Sequence, residues 1–135
     1  MGAIRWDELF SLAEHVRRRA YAPYSRFQVG AAIQCDDGTL VAGCNVENAS
    51  YGLTCCAERN AVGQVVMNAR RPVAVAIVTD SKQPTPPCGM CRQVLAEFAA
   101  PATPVRSRTA KGLERRYTVR QLLPAAFTGR WLGKR

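Results

Sequence analysis

Apolar positions recur along this chain with two periods, and the switches between them mark its elements. Trp6, Leu9, Phe10, Ala13 and Val16 fall on one stripe at helical spacing within residues 5–20. Asp7 and Glu8 near the start of that segment and Arg17, Arg18 and Arg19 at its end suit the helix dipole. His15 lies off the stripe, on the polar face. Tyr21-Ala22-Pro23-Tyr24-Ser25 breaks the helix, because Pro23 pushes the residue before it toward extended geometry. Over 27–35 the period becomes two, with Phe27, Val29, Ala31, Ile33 and Cys35 on one face. Asp36-Asp37-Gly38-Thr39 predicts a hairpin turn, since Asp-Gly tolerates positive φ. The return strand, 40–47, puts Leu40, Ala42, Cys44 and Val46 on one side and Val41, Gly43, Asn45 and Glu47 on the other.

Residues 48–54 form a loop of small residues. Ala57, Ala61, Val62, Val65, Val66 and Ala69 then repeat at helical spacing, which places Cys56 and Glu58 in the opening turn of a buried helix. The continuous apolar run 73–78 predicts an interior strand covered on both faces. Residues 81–87 hold three prolines and read as a loop. Gly89 opens another helix, continued inward by Val94, Leu95 and Phe98. A short polar strand over 104–109 follows, and Thr118-Val119-Arg120-Gln121 has capping-box spacing ahead of Leu122 and Leu123. Pro124 closes that last helix, and nothing repeats internally.

Length and charge narrow the function classes. A chain of 135 residues makes one domain with a real core. No apolar run approaches the roughly 20 residues of a membrane span. The N-terminus lacks the basic-then-apolar plan of a signal peptide, so a cytoplasmic protein is expected. In that compartment six cysteines read as metal ligands or buried thiols, not disulfides. Net charge is +9, and residues 101–135 hold nine Lys or Arg against one acid, Glu114. No aromatic platform for stacking bases accompanies that basic stretch, so it reads as a solvated or subunit-facing surface.

Chemistry concentrates in Cys56-Ala57-Glu58 and Pro87-Cys88-Gly89-Met90-Cys91. Three thiolates can hold a zinc ion and leave a fourth position open for water, which separates a catalytic site from a closed structural one. Glu58 is then free for proton transfer. Cys55 is also a ligand by residue type, but the one-residue gap to Glu58 favours Cys56. Cys35 and Cys44 fall where strand periodicity puts the core. Asn45 and Glu47 project the same way at the end of a strand, where an amide and a carboxylate can grip vicinal hydroxyls. From spacing alone the plainer reading, a polar strand end meeting a loop, is favoured.

Tyr21-Ala-Pro-Tyr-Ser, Phe27-Gln-Val-Gly-Ala-Ala, Gly43-Cys-Asn-Val-Glu-Asn, Cys56-Ala-Glu-Arg, Pro87-Cys-Gly-Met-Cys-Arg-Gln and Leu122-Leu-Pro-Ala-Ala-Phe127 run in order over about residues 5–128. Together they resemble the motifs of small zinc-dependent cytidine deaminases of the homotetrameric type. The resemblance implies an α/β fold, a three-layer αβα architecture with a five-stranded mixed sheet, in a single domain whose basic tail at about 129–135 lies beyond the matching motifs. It implies one zinc per subunit on Cys56, Cys88 and Cys91, with Glu58 shuttling protons. Asn45 and Glu47 would hold the ribose, Phe27 would stack on the pyrimidine, and the Ala57 N–H would recognise the base edge. Tyr51 and Phe127 would help complete a neighbouring subunit's pocket. Arg59 would hydrogen-bond the ligand sulfurs, with Arg92 a weaker candidate for that work.

The implied reaction is hydrolysis of cytidine and 2'-deoxycytidine to uridine and 2'-deoxyuridine with release of ammonia, as in pyrimidine salvage. A same-fold deaminase of a modified aminopyrimidine, such as a nucleoside antibiotic, is the alternative. Deamination of a polynucleotide is disfavoured, because subunits closing over one another leave little room for a strand. A non-catalytic zinc module binding nucleic acid through its basic tail would give Glu58 no role. The chain departs from the family pattern at Cys55 and at Val105-Arg106-Ser107-Arg108-Thr109, which is more charged than a buried strand is expected to be.

Overall fold

The computed structural model describes residues 2–134. Helix α1, Trp6–Arg17, leads into the hairpin of β1, Val29–Cys35, and β2, Leu40–Cys44. Helix α2, Ala57–Met67, strand β3, Pro72–Thr79, helix α3, Gly89–Phe98, and strand β4, Pro104–Thr109, follow. The chain ends with strand β5, Glu114–Thr118, the short helix α4, Val119–Leu122, and a 3-10 turn at Gly129–Leu132. The strands form one sheet in the order β2-β1-β3-β4-β5. Only β3 and β4 pair in parallel, so the sheet is mixed, as expected.

Alternation along β1 sorts its side chains between two cores. Ala31, Ile33 and Cys35 face α2 and α3, together with Val75 and Ile77 of β3 and Leu95 of α3. Ala32 faces the other way, against Leu9, Phe10 and Ala13 of α1 and Ala74, Ala76 and Val78 of β3. Strand β3 is covered on both faces, which explains its unbroken apolar run. Two glycines set how closely the helices approach. A Cβ on Gly30 would lie 1.9 Å from the Ala13 carbonyl oxygen, and one on Gly43 would lie 2.7 Å from the Ala57 oxygen and the Ala61 nitrogen. Only a hydrogen fits at either position.

Connectivity places the site. Both β2 and β3 run antiparallel to β1, so they are parallel to each other. Helix α2 crosses from β2 to β3 and α3 from β3 to β4, both packing on the same face. Each therefore starts where a parallel strand ends, at the same edge of the sheet, where open α/β sheets keep their ligand crevices.

Several expectations are adjusted. Helix α2 stops at Met67, Ala69 adopts φ 56° and Val66 is exposed, so the buried stripe is narrower than its periodicity suggested. Strand β2 ends at Cys44, and Val46 instead makes isolated bridges to Tyr21 and Cys55. Strand β5, Glu-Arg-Arg-Tyr-Thr, has no apolar alternation to mark it in the sequence; it is an edge strand, where charge is tolerated. The charge on β4 also has a physical home. Val105, Ser107 and Thr109 are buried on one face, while Arg106 and Arg108 lie 4.0 and 3.8 Å from the Trp6 and Phe10 ring centres. Glu114 pairs with Arg108 and Arg116 at 2.7 Å each. The capping box forms as read, Thr118 accepting from the Gln121 N–H. Cys35 is buried and Cys44 half-buried, and His15 is exposed on α1.

Candidate active site and metal centre

Helices α2 and α3 begin alike. Cys56 and Cys88 occupy the two N-cap positions in extended conformation, and neither makes a side-chain cap. A helix N-terminus carries positive partial charge, which favours a thiolate there. Cys91 sits one turn into α3 and is buried. The Cys56 and Cys88 sulfurs stand 3.6 Å apart, those of Cys88 and Cys91 3.5 Å, and all three lie within 4.8 Å of one another. Sulfurs on a tetrahedral zinc with bonds of about 2.3 Å would stand about 3.8 Å apart. The cluster fits such an ion closely. Hydrogen bonding from Cys91, helped by Cys88 and the Arg59 guanidinium, draws Cys56 down to about 5 against the effect of burial. Cys91, the donor in that pair, is pushed up.

Glu58 lies on the opening turn of α2, beside this cluster, and is 5% exposed. Burial raises its carboxyl to about 7, with the Cys56 charge adding to the rise. A cavity of about 170 Å³ opens over these groups, lined among others by Phe27, Asn45, Glu47, Cys56, Ala57 and Glu58. As the first residue of α2, Ala57 carries one of the N–H groups that lack an intrahelical partner.

Asn45 and Glu47 each hold the segment 24–29. The Asn45 Oδ1 accepts from the Val29 N–H and its Nδ2 donates to the Phe27 carbonyl, both at 2.8 Å. Glu47 Oε1 accepts from the Tyr24 and Ser25 N–H groups at 3.0 and 3.1 Å, and Oε2 accepts from the Ser25 hydroxyl. The Ser25 hydroxyl, followed by those N–H groups, holds the Glu47 carboxyl below the ordinary carboxylate range. Each side chain keeps hydrogen-bonding capacity beyond these contacts.

The same chemistry recurs in known proteins. The chain matches the family model described as "Cytidine and deoxycytidylate deaminase zinc-binding region" over residues 4–106. It is 51% identical over 121 residues to a cytidine deaminase of Halalkalibacterium halodurans, covering 89% of this chain and 92% of that one. A cytidine deaminase of Mycobacterium tuberculosis is 42% identical over 132 residues, with 94% and 92% covered. This chain belongs to the cytidine deaminase family. The crystal structure of a cytidine deaminase from Burkholderia pseudomallei superposes with a TM-score of 0.88 at 42% identity, covering 92% of this chain and all of that one.

Within the deaminase frame, the structure sorts the candidate residues. Phe27, Asn45, Glu47, Ala57, Glu58 and the three cysteines come together at one edge of the sheet. Arg59 is also there: its Nη2 donates to the Thr54 carbonyl at 2.9 Å and lies 3.8 Å from the Cys56 sulfur. Its Nε is buried without a partner among the described residues. Arg92 is elsewhere. It donates to the Pro87 and Leu122 carbonyls, tying the loop before Cys88 to α4, and it does not reach the sulfurs. Cys55 spends its backbone on the bridge to Val46 and stands outside the metal cluster.

Tyr51 and Phe127 do not line this cavity in their own chain and are 73% and 59% exposed. Sequence reasoning missed the cavity walls formed by Ser25, Thr54, Thr79 and Thr85. Hydroxyl residues in loops and at strand ends carry no period. Only Ser25 stood inside a recognisable motif.

Proposed function

We propose that this chain hydrolyses cytidine and 2'-deoxycytidine to uridine and 2'-deoxyuridine, releasing ammonia. A buried carboxyl beside a cluster of three sulfurs, in a cavity also lined by the Phe27 ring, the Asn45 amide and the Glu47 carboxylate, carries this reading. Cys56, Cys88 and Cys91 would hold a zinc ion, which when bound would supply the Lewis acidity that makes water nucleophilic near neutral pH. Glu58 takes the proton of the water that attacks C4, as in zinc deaminases generally. The same carboxyl passes that proton to N3, then takes the remaining proton of the new C4 hydroxyl and gives it to the amino group, so that the C4–N bond breaks, C4=O forms and ammonia leaves. Burial, the main cause of the raised Glu58 carboxyl, persists with the metal in place and brings the group nearer to neutrality than a free carboxylate, which suits both duties. Arg59 offsets the excess negative charge of three thiolates, which would otherwise weaken the acidifying effect of the metal.

Phe27 stacks on the pyrimidine and the Ala57 N–H meets its edge, while Asn45 and Glu47 take the ribose hydroxyls. Exposure of Tyr51, which opens a 3-10 turn, and of Phe127, in the stretch after α4, is consistent with a homotetramer in which each reaches a neighbour's pocket. No helix among the described residues is long and apolar enough to cross a membrane. Loss of cytidine ultraviolet absorbance in the presence of zinc-loaded protein tests the activity. Turnover of cytidine and deoxycytidine is expected; a zinc-loaded tetramer that turned over neither would shift the substrate to a modified aminopyrimidine.

A further inference from the structure

The segment that carries Phe27 has no regular secondary structure between Ser25 and the start of β1, yet its course is tightly held. Arg26 adopts φ 58°, a left-handed conformation that a residue with a long side chain rarely takes. Such a backbone persists only where its surroundings over-determine it. Here the Arg26 N–H donates to the Ala22 carbonyl at 2.9 Å, and polar side chains hold the residues on either side. Glu47 holds the Tyr24 and Ser25 N–H groups from below, and Asn45 holds Phe27 and Val29 on the far side of Arg26. Between them stands one hydroxyl: Ser25 Oγ donates to Glu47 Oε2 and accepts from the Phe27 N–H at 3.0 Å.

We propose that Ser25 is a positioning residue for nucleoside binding, its hydroxyl bridging the Phe27 N–H to the Glu47 carboxylate and so helping to set the ring relative to that carboxylate. The proposal rests on the reading of Phe27 as the base-stacking ring and Glu47 as a ribose acceptor. Removing the hydroxyl leaves the Phe27 N–H without its partner and gives Glu47 Oε2 freedom to turn, while Oε1 stays held by two backbone donors. Base and sugar subsites then lose the one direct tie between the Phe27 N–H and the Glu47 carboxylate, and their separation loosens. Because Ser25 is exposed and outside both apolar cores, truncating it opens no cavity in the fold.

The test is steady-state kinetics of Ser25→Ala and Ser25→Thr with cytidine, each zinc-loaded. Loss of a hydrogen bond to a charged group predicts that Ser25→Ala raises KM about tenfold with a change in kcat under about threefold. Ser25→Thr, which keeps the hydroxyl, recovers most of that loss. An unchanged KM in Ser25→Ala, an equal fall in kcat, or a Ser25→Thr enzyme no better than Ser25→Ala each overturns the proposal. Parent enzyme with 2',3'-dideoxycytidine separates the underlying reading. If the parent binds that substrate as well as cytidine, the Glu47 assignment fails. If the parent discriminates and Ser25→Ala binds cytidine normally, the role of Ser25 alone fails.

Discussion

Replacing Glu58 by Gln keeps the shape of the side chain and removes its ability to carry a proton, so it separates the two consequences of burying a carboxyl beside thiolates. On catalysis, positioned acid–base groups contribute about 10²–10⁴-fold. Since Glu58 handles every proton in the proposed reaction, Glu58→Gln should lose at least about 10³-fold in kcat while zinc stays stoichiometric. On stability, the carboxyl is raised from 4.5 to about 7 by burial and the Cys56 charge. Its folded value exceeds its unfolded value, so its contribution is fully present below about pH 4.5 and is lost as pH rises through about 7. At about 1.4 kcal/mol per unit, ionised Glu58 costs the zinc-free fold about 3 kcal/mol at pH 8.

Gln has no charge to bury, so zinc-free Glu58→Gln should gain on the parent by about that amount between pH 4.5 and 8, roughly 10 °C in melting temperature. Thermal melts of both zinc-free proteins across that range, with ultraviolet turnover of the zinc-loaded forms, measure both effects. A zinc-loaded variant near the parental rate would refute the proton-transfer role. Parallel stability curves would refute the claim that burial costs the carboxylate anything.

Other expectations follow from particular contacts. Gly43→Ala puts a Cβ 2.7 Å from two backbone atoms of α2 and should lose about 2–3 kcal/mol in urea unfolding along with activity. Gly63→Ala, with nothing within 4 Å, should instead gain about 0.5–1 kcal/mol; equal effects at the two glycines would contradict the close-approach argument. Arg59→Gln should weaken zinc retention about 10–100-fold against a competing chelator, and unchanged retention would leave the guanidinium no part in the metal centre. Glu114→Gln leaves three arginines facing one another and should cost about 1–2 kcal/mol, a deficit that shrinks at high salt. A salt-independent deficit would point to lost packing instead.

Much of this protein was determined by local sequence. Periodicity located α1, the β1–β2 hairpin, the buried β3 and the openings of α2 and α3, because one-sided burial imposes a period of 3.6 or 2 on apolar residues. Residue chemistry singled out Cys56, Glu58, Cys88 and Cys91, because three soft ligands and an unligated carboxylate have few uses in common. Order along the chain could not bring them together. That took two crossovers on one face of the sheet, from strands running the same way, so that both helices start at one edge. The edge strand β5 and the arginines of β4 were illegible for a related reason: their charges answer to Glu114, Trp6 and Phe10, partners set by packing and not by spacing. The hold of Asn45 and Glu47 on the segment 24–29 likewise depends on a backbone some twenty residues away, and only the folded chain places it within hydrogen-bonding reach.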